Sequence, residues 1–360
     1  MQILLPLSRR HVIVPRGFSV MTGLRSVLWF VVCAGLALCG PALALDRTQL
    51  GVIINTRDPL SVEIGEYYVE RRGIPPENVI RVSFTPIENV LPRARFELLK
   101  AQIDAQAPPQ VEAYAVAWTA PYRVECMSIT AALAFGFDPA FCAEGCKPTR
   151  PSRYYNSPAS LPFTGHQLRP AMLLAAANFE QARALIDRGI ASDATFPRGT
   201  AYLLATSDGA RNVRSVWYPL IEQEKKDRLR VRSLRQDELR DVDDVLFYFT
   251  GRSRVEGLET LRFVPGAAAD HLTSFGGALT SHGGQMSALR WLEAGATGSY
   301  GAVVEPCNLQ PKFPNPLVLI DRYLRGDTLI EAYWKSVQMP GQGVFIGEPL
   351  AAPFREAVRQ

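Results

Sequence analysis

Short apolar runs alternate with amphipathic stretches along most of the chain. Leu50–Asn55 (LGVIIN), Val79–Phe84 and Ala113–Trp118 read as strands, with helices at Val62–Arg72 and Arg93–Gln106 between them. Asp58-Pro59 supplies an N-cap with proline in the first turn, and Gly73 supplies the stop. The same alternation returns after Pro170. Strands are expected at Ala171–Ala177, Thr200–Thr206, Arg230–Leu234, Asp244–Thr250, Ser299–Val304 and Gly343–Gly347. Helices are expected at Phe179–Gly189, Ser215–Lys226, Gln285–Glu293, Pro316–Leu324 and Thr328–Val337. Apolar strands alternating with helices predict an α/β fold with mostly parallel, Rossmann-like sheets and helices on both faces.

Two stretches break the pattern. Residues 121–170 are rich in Pro, Ser, Gly and aromatics, with one apolar helix-like run at Ile129–Phe137. A long irregular insertion in a compact domain is either functional or a stapled surface loop. Residues 262–308 hold eight glycines, His271, His282 and Cys307. Glycine at that density serves tight turns or close backbone approach.

The first 44 residues read as a leader. Arg25 precedes the apolar run Val27–Leu38, and Ala42-Leu43-Ala44 offers a small-x-small cleavage pattern; Met21 would give a leader of conventional length. The apolar run is shorter than the roughly 20 residues a span needs, and Leu38 before Cys39 does not suit a lipidation signal. The sequence beyond it divides into a first α/β half, residues 45–190, and a second, residues 191–360. The expected location is the periplasm or the outside of the cell, with no transmembrane segment in the mature chain. Removing the leader's four arginines from the 39 basic groups leaves 35, equal to the 35 acidic ones. No basic excess remains to argue for nucleic acid.

Six cysteines become four once Cys33 and Cys39 leave with the leader. An even number in an oxidising compartment suggests disulfides, and the expected pairs are Cys126–Cys307 and Cys142–Cys146. The competing reading makes Cys307 a nucleophile, with His271 as base and Glu305 or Asp270 to orient it. A bonded Cys307 could not serve, so the two readings exclude each other.

Ligands bind beyond the C-terminal ends of strands in open parallel sheets. That rule gathers Asn55, Asp58, Arg123, Glu125, Arg252 and Asn308 around Cys307 as pocket candidates. No cofactor, metal or nucleotide fingerprint is present, and Cys142–Cys146 lacks the second ligand pair zinc requires.

The segments GVIINTRDPLSVEIGEYYVERRGIPPENVI, ADHLTSFGG, AGATGSYGAVVEPCN and LIEAYWKSVQMPGQGVFIGEPLAAPF resemble a family of exported bacterial proteins found with the exosortase protein-sorting system. That resemblance implies an envelope role, with exported proteins or envelope components as partners, and brings no activity with it. The order of elements after Pro170 is also similar to the gingipain-like cysteine peptidases, which implies a caspase-like fold. In those enzymes a strand like DVLFYFTG ends in His-Gly and the next ends in the nucleophilic cysteine; here Arg252 follows DVLFYFTG, and Leu272–Gly277 holds no cysteine. The resemblance therefore implies a divergent or non-catalytic relative, with a thiol hydrolase using Cys307 and His271 as the alternative.

Overall fold

The computed structural model describes residues 44–86, 89–143, 145–280 and 284–356. The expected leader, with Met21, Cys33 and Cys39, lies outside the described residues apart from its last residue, Ala44; so does His282.

The chain enters through β1 (Leu50–Asn55), buried along its whole length, and turns into α1 (Pro59–Arg72). Asp58 caps that helix by accepting the Leu60 N–H at 3.1 Å, and Gly73 closes it at φ 60°. Next come β2 (Val79–Val82), the two-residue β3 (Val90–Leu91), α2 (Arg93–Gln106) and β4 (Ala113–Val116). The irregular insertion folds into the hairpin of β5 (Arg123–Val124) and β6 (Met127–Ser128), then α3 (Ile129–Phe135) and α4 (Pro162–His166). The alternation resumes with β7 (Ala171–Leu173), α5 (Phe179–Ser192), β8 (Thr200–Ala205), α6 (Tyr218–Lys225), β9 (Arg230–Arg235) and β10 (Val245–Thr250). It ends with β11 (Phe263–His271), α7 (Leu289–Glu293), β12 (Gly298–Ala302), α8 (Pro316–Leu324), α9 (Leu329–Ser336) and β13 (Gly343–Gly347).

Ten strands form one sheet in the order β2-β1-β4-β7-β13-β12-β11-β10-β8-β9. Every neighbouring pair is parallel except β12 and β13, which run antiparallel from Gly298↔Gly347 to Ala302↔Gly343. The sheet is thus two five-stranded parallel blocks pointing in opposite directions. The last strand, β13, leaves its sequence neighbours and joins the block built by β1, β2, β4 and β7.

Side chains alternate across the sheet, so successive residues feed different cores. Val52 and Ile54 of β1 pack with Tyr68 of α1, Ile186 of α5 and Tyr323 of α8 in one core; Ile53 packs with Phe96 of α2 and Ile129 of α3 in the other. Helices therefore cover both faces, as the sequence pattern predicts.

Two differences from expectation lie beside the β10–β12 strand ends, while the strand at Ala171 is shorter than expected, ending at Leu173. The hydrophobic pattern does not predict the strand β11, because FVPGAAADH carries Pro265, Gly266 and three alanines, all poor strand formers. Its central position supplies what its propensity lacks: residues 266–271 are all buried. The helix expected from Gln285 shrinks to Leu289–Glu293, since Met286 N–H bonds Ser253 O and Ala288 N–H bonds Gly276 O instead of starting a helix.

Glycines decide how closely the junction can pack. A Cβ on Gly301 of β12 would collide with the backbone of Gly276 and Gly277, and one on Gly343 of β13 with the Tyr300 ring. Gly301→Ala is expected to cost about 1–3 kcal/mol, as overpacking does in dense cores. Gly209→Ala, where nothing lies within 4 Å, should stay within about 0.5 kcal/mol of the parent. Urea midpoints measure both, and equal midpoints would refute the close approach.

Candidate functional site

Three neighbouring parallel strands, β10, β11 and β12, end on one edge of the sheet, and their last residues face two different environments. Asp270 points to the face where Arg214 lies. The Arg214 guanidinium pairs with Asp270 Oδ1 at 2.6 Å and donates to Thr250 O at 2.9 Å and Pro314 O at 3.3 Å, all buried. Burial pushes the Asp270 carboxyl up to about 6, against the opposing pull of Arg214.

His271, one residue on, points to the other face. Trp291 Nε1–H donates to His271 Nδ1 at 2.9 Å, so Nδ1 carries no hydrogen. Nε2 therefore carries it and donates to Met286 O at 3.0 Å. Burial pushes the imidazole down to about 3, with Arg214 and Arg211 adding to the effect and the Met286 carbonyl opposing it. The ring is neutral, with both nitrogens occupied. Asp270 cannot orient it, because adjacent strand residues face opposite sides.

The rim above these residues is polar. Arg211 Nε donates to Thr273 Oγ1 at 3.0 Å, and Thr273 Oγ1 donates to Gln285 Oε1 at 2.7 Å, which also accepts Phe275 N–H. Just past β10, Arg252 pairs with Asp237 at 2.6 Å, and Asp237 accepts the backbone N–H and hydroxyl of Ser207, both at 2.7 Å. Those hydrogen bonds from Ser207, then Arg252, hold the Asp237 carboxyl down at about 2. An open groove of about 560 Å³ runs past Thr206, Ser207, Asn212, Ser215, Gln236 and Asp237. The groove and the rim residues Arg211, Thr273, Asp237 and Gln285 escaped the sequence reading. No periodicity marks them; only the Arg252 that stands after DVLFYFTG pointed there.

The cysteine pairing expected from the sequence is corrected. Cys126 bonds Cys142 and Cys146 bonds Cys307, with Cα separations of 5.3 and 5.4 Å. The tight β5–β6 turn, with Glu125 at φ 46°, sets Cys126 beside the turn Pro139–Phe141 that ends at Cys142. Gly145, at φ 62°, then redirects the chain so that Cys146 reaches the exit of β12. There Cys307 sits at φ 54°, with its N–H bonded to Glu305 Oε1 at 2.7 Å. Glu305 thus shapes the turn that presents Cys307 to Cys146.

The expected single pocket does not assemble. Because β12 and β13 are antiparallel, the end of β1 lies at the opposite edge from the ends of β10 and β12. Asn55 there accepts the N–H groups of Arg57 and Phe84, and Asp58 is spent on its helix cap. In the separate three-stranded sheet of β3, β5 and β6, Arg123 donates to Glu125 O, and Glu125 accepts the Arg93 N–H that opens α2. Arg252, Glu305, Cys307 and the exposed Asn308 share the other edge. Among the described residues no His, Cys, Asp and Glu cluster could hold a metal ion, and no helix is long and apolar enough to cross a membrane.

No family model and no curated protein matches the chain. A solved structure described as that of a protease superposes on 88 % of this chain and 80 % of its own, with TM-score 0.50 and 10 % identity. The likeness is one of fold: a large, mostly parallel sheet flanked by helices, similar to caspase-like protease folds. The complex of the RgpB pro- and mature domains from Porphyromonas gingivalis also superposes, on 84 % of this chain and 79 % of its own, at TM-score 0.42 and 9 % identity. At such identities a likeness extends to the fold alone.

Peptide mapping without reductant is expected to find Cys126 linked to Cys142 and Cys146 linked to Cys307; a Cys126–Cys307 peptide would contradict the hairpin geometry. Removing the second bond with Cys146→Ser and Cys307→Ser should cost about 2–5 kcal/mol, read from the urea midpoint.

Proposed function

We propose that the protein is an exported, non-catalytic relative of the caspase-fold peptidases, serving as a binding or accessory protein of the envelope. One observation carries this reading: both groups a thiol peptidase would need are committed elsewhere. Cys307 is bonded to Cys146, and the His271 ring is held neutral between Trp291 and Met286. A nucleophilic cysteine needs a thiolate and a base within reach, and neither nitrogen of His271 faces the Cys307 sulfur. Two disulfides also suit an oxidising compartment, in keeping with the leader pattern at residues 1–44.

Binding would use the polar rim past β8, β10 and β11. Arg252, Arg211 and Gln285 offer donors and Asp237 an acceptor on the loops that follow β8, β9, β10 and β11, which suits recognition of an extended peptide from another exported protein. The link to protein sorting rests on the family resemblance in the segments quoted above.

Iodoacetamide without reductant tests the assignment. The folded and the urea-unfolded mature protein should both keep their intact mass, since all four cysteines are blocked. A carbamidomethyl adduct on Cys307 in the folded protein, lost in a Cys307→Ala variant together with hydrolysis of a peptide substrate, would favour a thiol hydrolase using Cys307 and His271.

A further inference from the structure

Residue Leu45 begins the sequence that follows the Ala42-Leu43-Ala44 pattern, and it is not a loose end. It is 1 % exposed and belongs to the main core, while Ala44 is 8 % exposed. Its N–H donates at 3.0 Å to Glu331 Oε2, a carboxylate in the first turn of α9 with no exposed surface. Its carbonyl accepts from Arg355 Nη2 at 2.7 Å, so both sides of the residue are gripped by the C-terminal part of the chain.

The Glu331 carboxylate has donors but shares its one close cation, Lys335, with Asp327. Oε2 accepts the Thr328 N–H at 3.0 Å and the Thr328 hydroxyl at 2.7 Å, in a capping box. The ammonium of Lys335, 1 % exposed, sits 2.8 Å from Asp327 and only 3.4 Å from Glu331 Oε1. Lys335 therefore serves Asp327 first, and one cation stands between two carboxylates. Nearby lie the Tyr154 ring, 5.2 Å from the Lys335 ammonium, and Arg355, whose Nη2 donates to the Leu45 carbonyl. Two carboxylates sharing one cation leave uncompensated negative charge, which is costly at the fully buried Glu331. Burial accordingly raises its proton affinity, against the pull of Lys335.

We propose that hydrolysis of the Ala44–Leu45 bond by a leader peptidase creates an α-ammonium at Leu45 that seats against Glu331 as the second cation of the Asp327–Lys335–Glu331 group. This rests on the leader reading given under the proposed function. Water adds across the amide: Ala44 leaves as a carboxylate, and the Leu45 nitrogen gains the hydrogens and charge of an ammonium. The nitrogen already lies at hydrogen-bond distance, so no rearrangement of α9 is needed. A cleft lined by Leu45, Arg72, Asp193, Leu350 and Arg355 opens beside it. Processing thereby locks the start of the mature chain to its C-terminal helix and tail.

The test compares a chain starting at Leu45, released from a tag by a protease that leaves no extra residue, with one starting at Ala44. The longer chain keeps the Leu45 N–H and its hydrogen bond but moves the charge away. At pH 7 the Leu45 start should have an unfolding constant about tenfold or more smaller, the size of a charged hydrogen bond. An ammonium held by a carboxylate has its folded pKa raised above the free value of about 8. Its contribution is therefore complete below about pH 8 and disappears as pH climbs through the folded value, where the two chains should converge. In a Glu331→Gln background the difference should shrink toward unity at pH 7; should that variant not fold, the pH convergence decides. Equal stability of the two starts at pH 7 overturns the seat and leaves the export reading standing. Intact mass of the exported protein should show Leu45 first. A start at another residue contradicts the processing step alone, and a retained leader contradicts that step and the export reading together.

Discussion

The antiparallel pairing of β12 with β13 fixes most of what matters in this molecule. It joins two parallel blocks that point in opposite directions, and so decides which strand ends share an edge. The pairing depends on close approach at Gly298, Gly301, Gly343 and Gly347, where side chains would meet Leu329, the Gly276–Gly277 backbone, Tyr300 and Thr297 O respectively. With the blocks reversed, the ends of β10, β11 and β12 form one rim, and the end of β1 belongs to another.

Three parallel strands of the large sheet end at the β10–β12 rim. Its two most suggestive groups each serve the fold. His271 bridges β11 to Trp291 and the Met286 carbonyl, and Cys307 ties the exit of β12 to the insertion through Cys146. Arg214 and Asp270 fill the opposite face as a buried ion pair. Partly open to solvent are Arg211, Gln285, Arg252 and Asp237, a set suited to hydrogen bonding.

The layered α/β architecture was legible in the sequence because strands such as LGVIIN and DVLFYFT are long and apolar and Asp58-Pro59 is a strong cap. The strand β11 was not, because its alanines and Pro265 hide a buried strand behind poor propensity. The site was harder still. Strand-end residues can be picked from sequence, but which ends meet depends on strand direction, and β13 joins a block far from its neighbours in the chain. The cysteine pairing failed for a related reason: two positive-φ turns, at Glu125 and Gly145, redirect the chain in ways that spacing does not encode.

The claim that His271 is a structural strut can be read directly from its ring. A long-range ¹H–¹⁵N spectrum of the histidine side chains, assigned with a His166→Asn protein and a His282→Asn protein, reports tautomer and charge together. The structure predicts a hydrogen on Nε2, a bare Nδ1, and shifts that do not move between about pH 5 and about pH 8, where an ordinary histidine titrates. A His271 ring that titrates near the free value of about 6.5 would contradict the account and restore an accessible base to the rim.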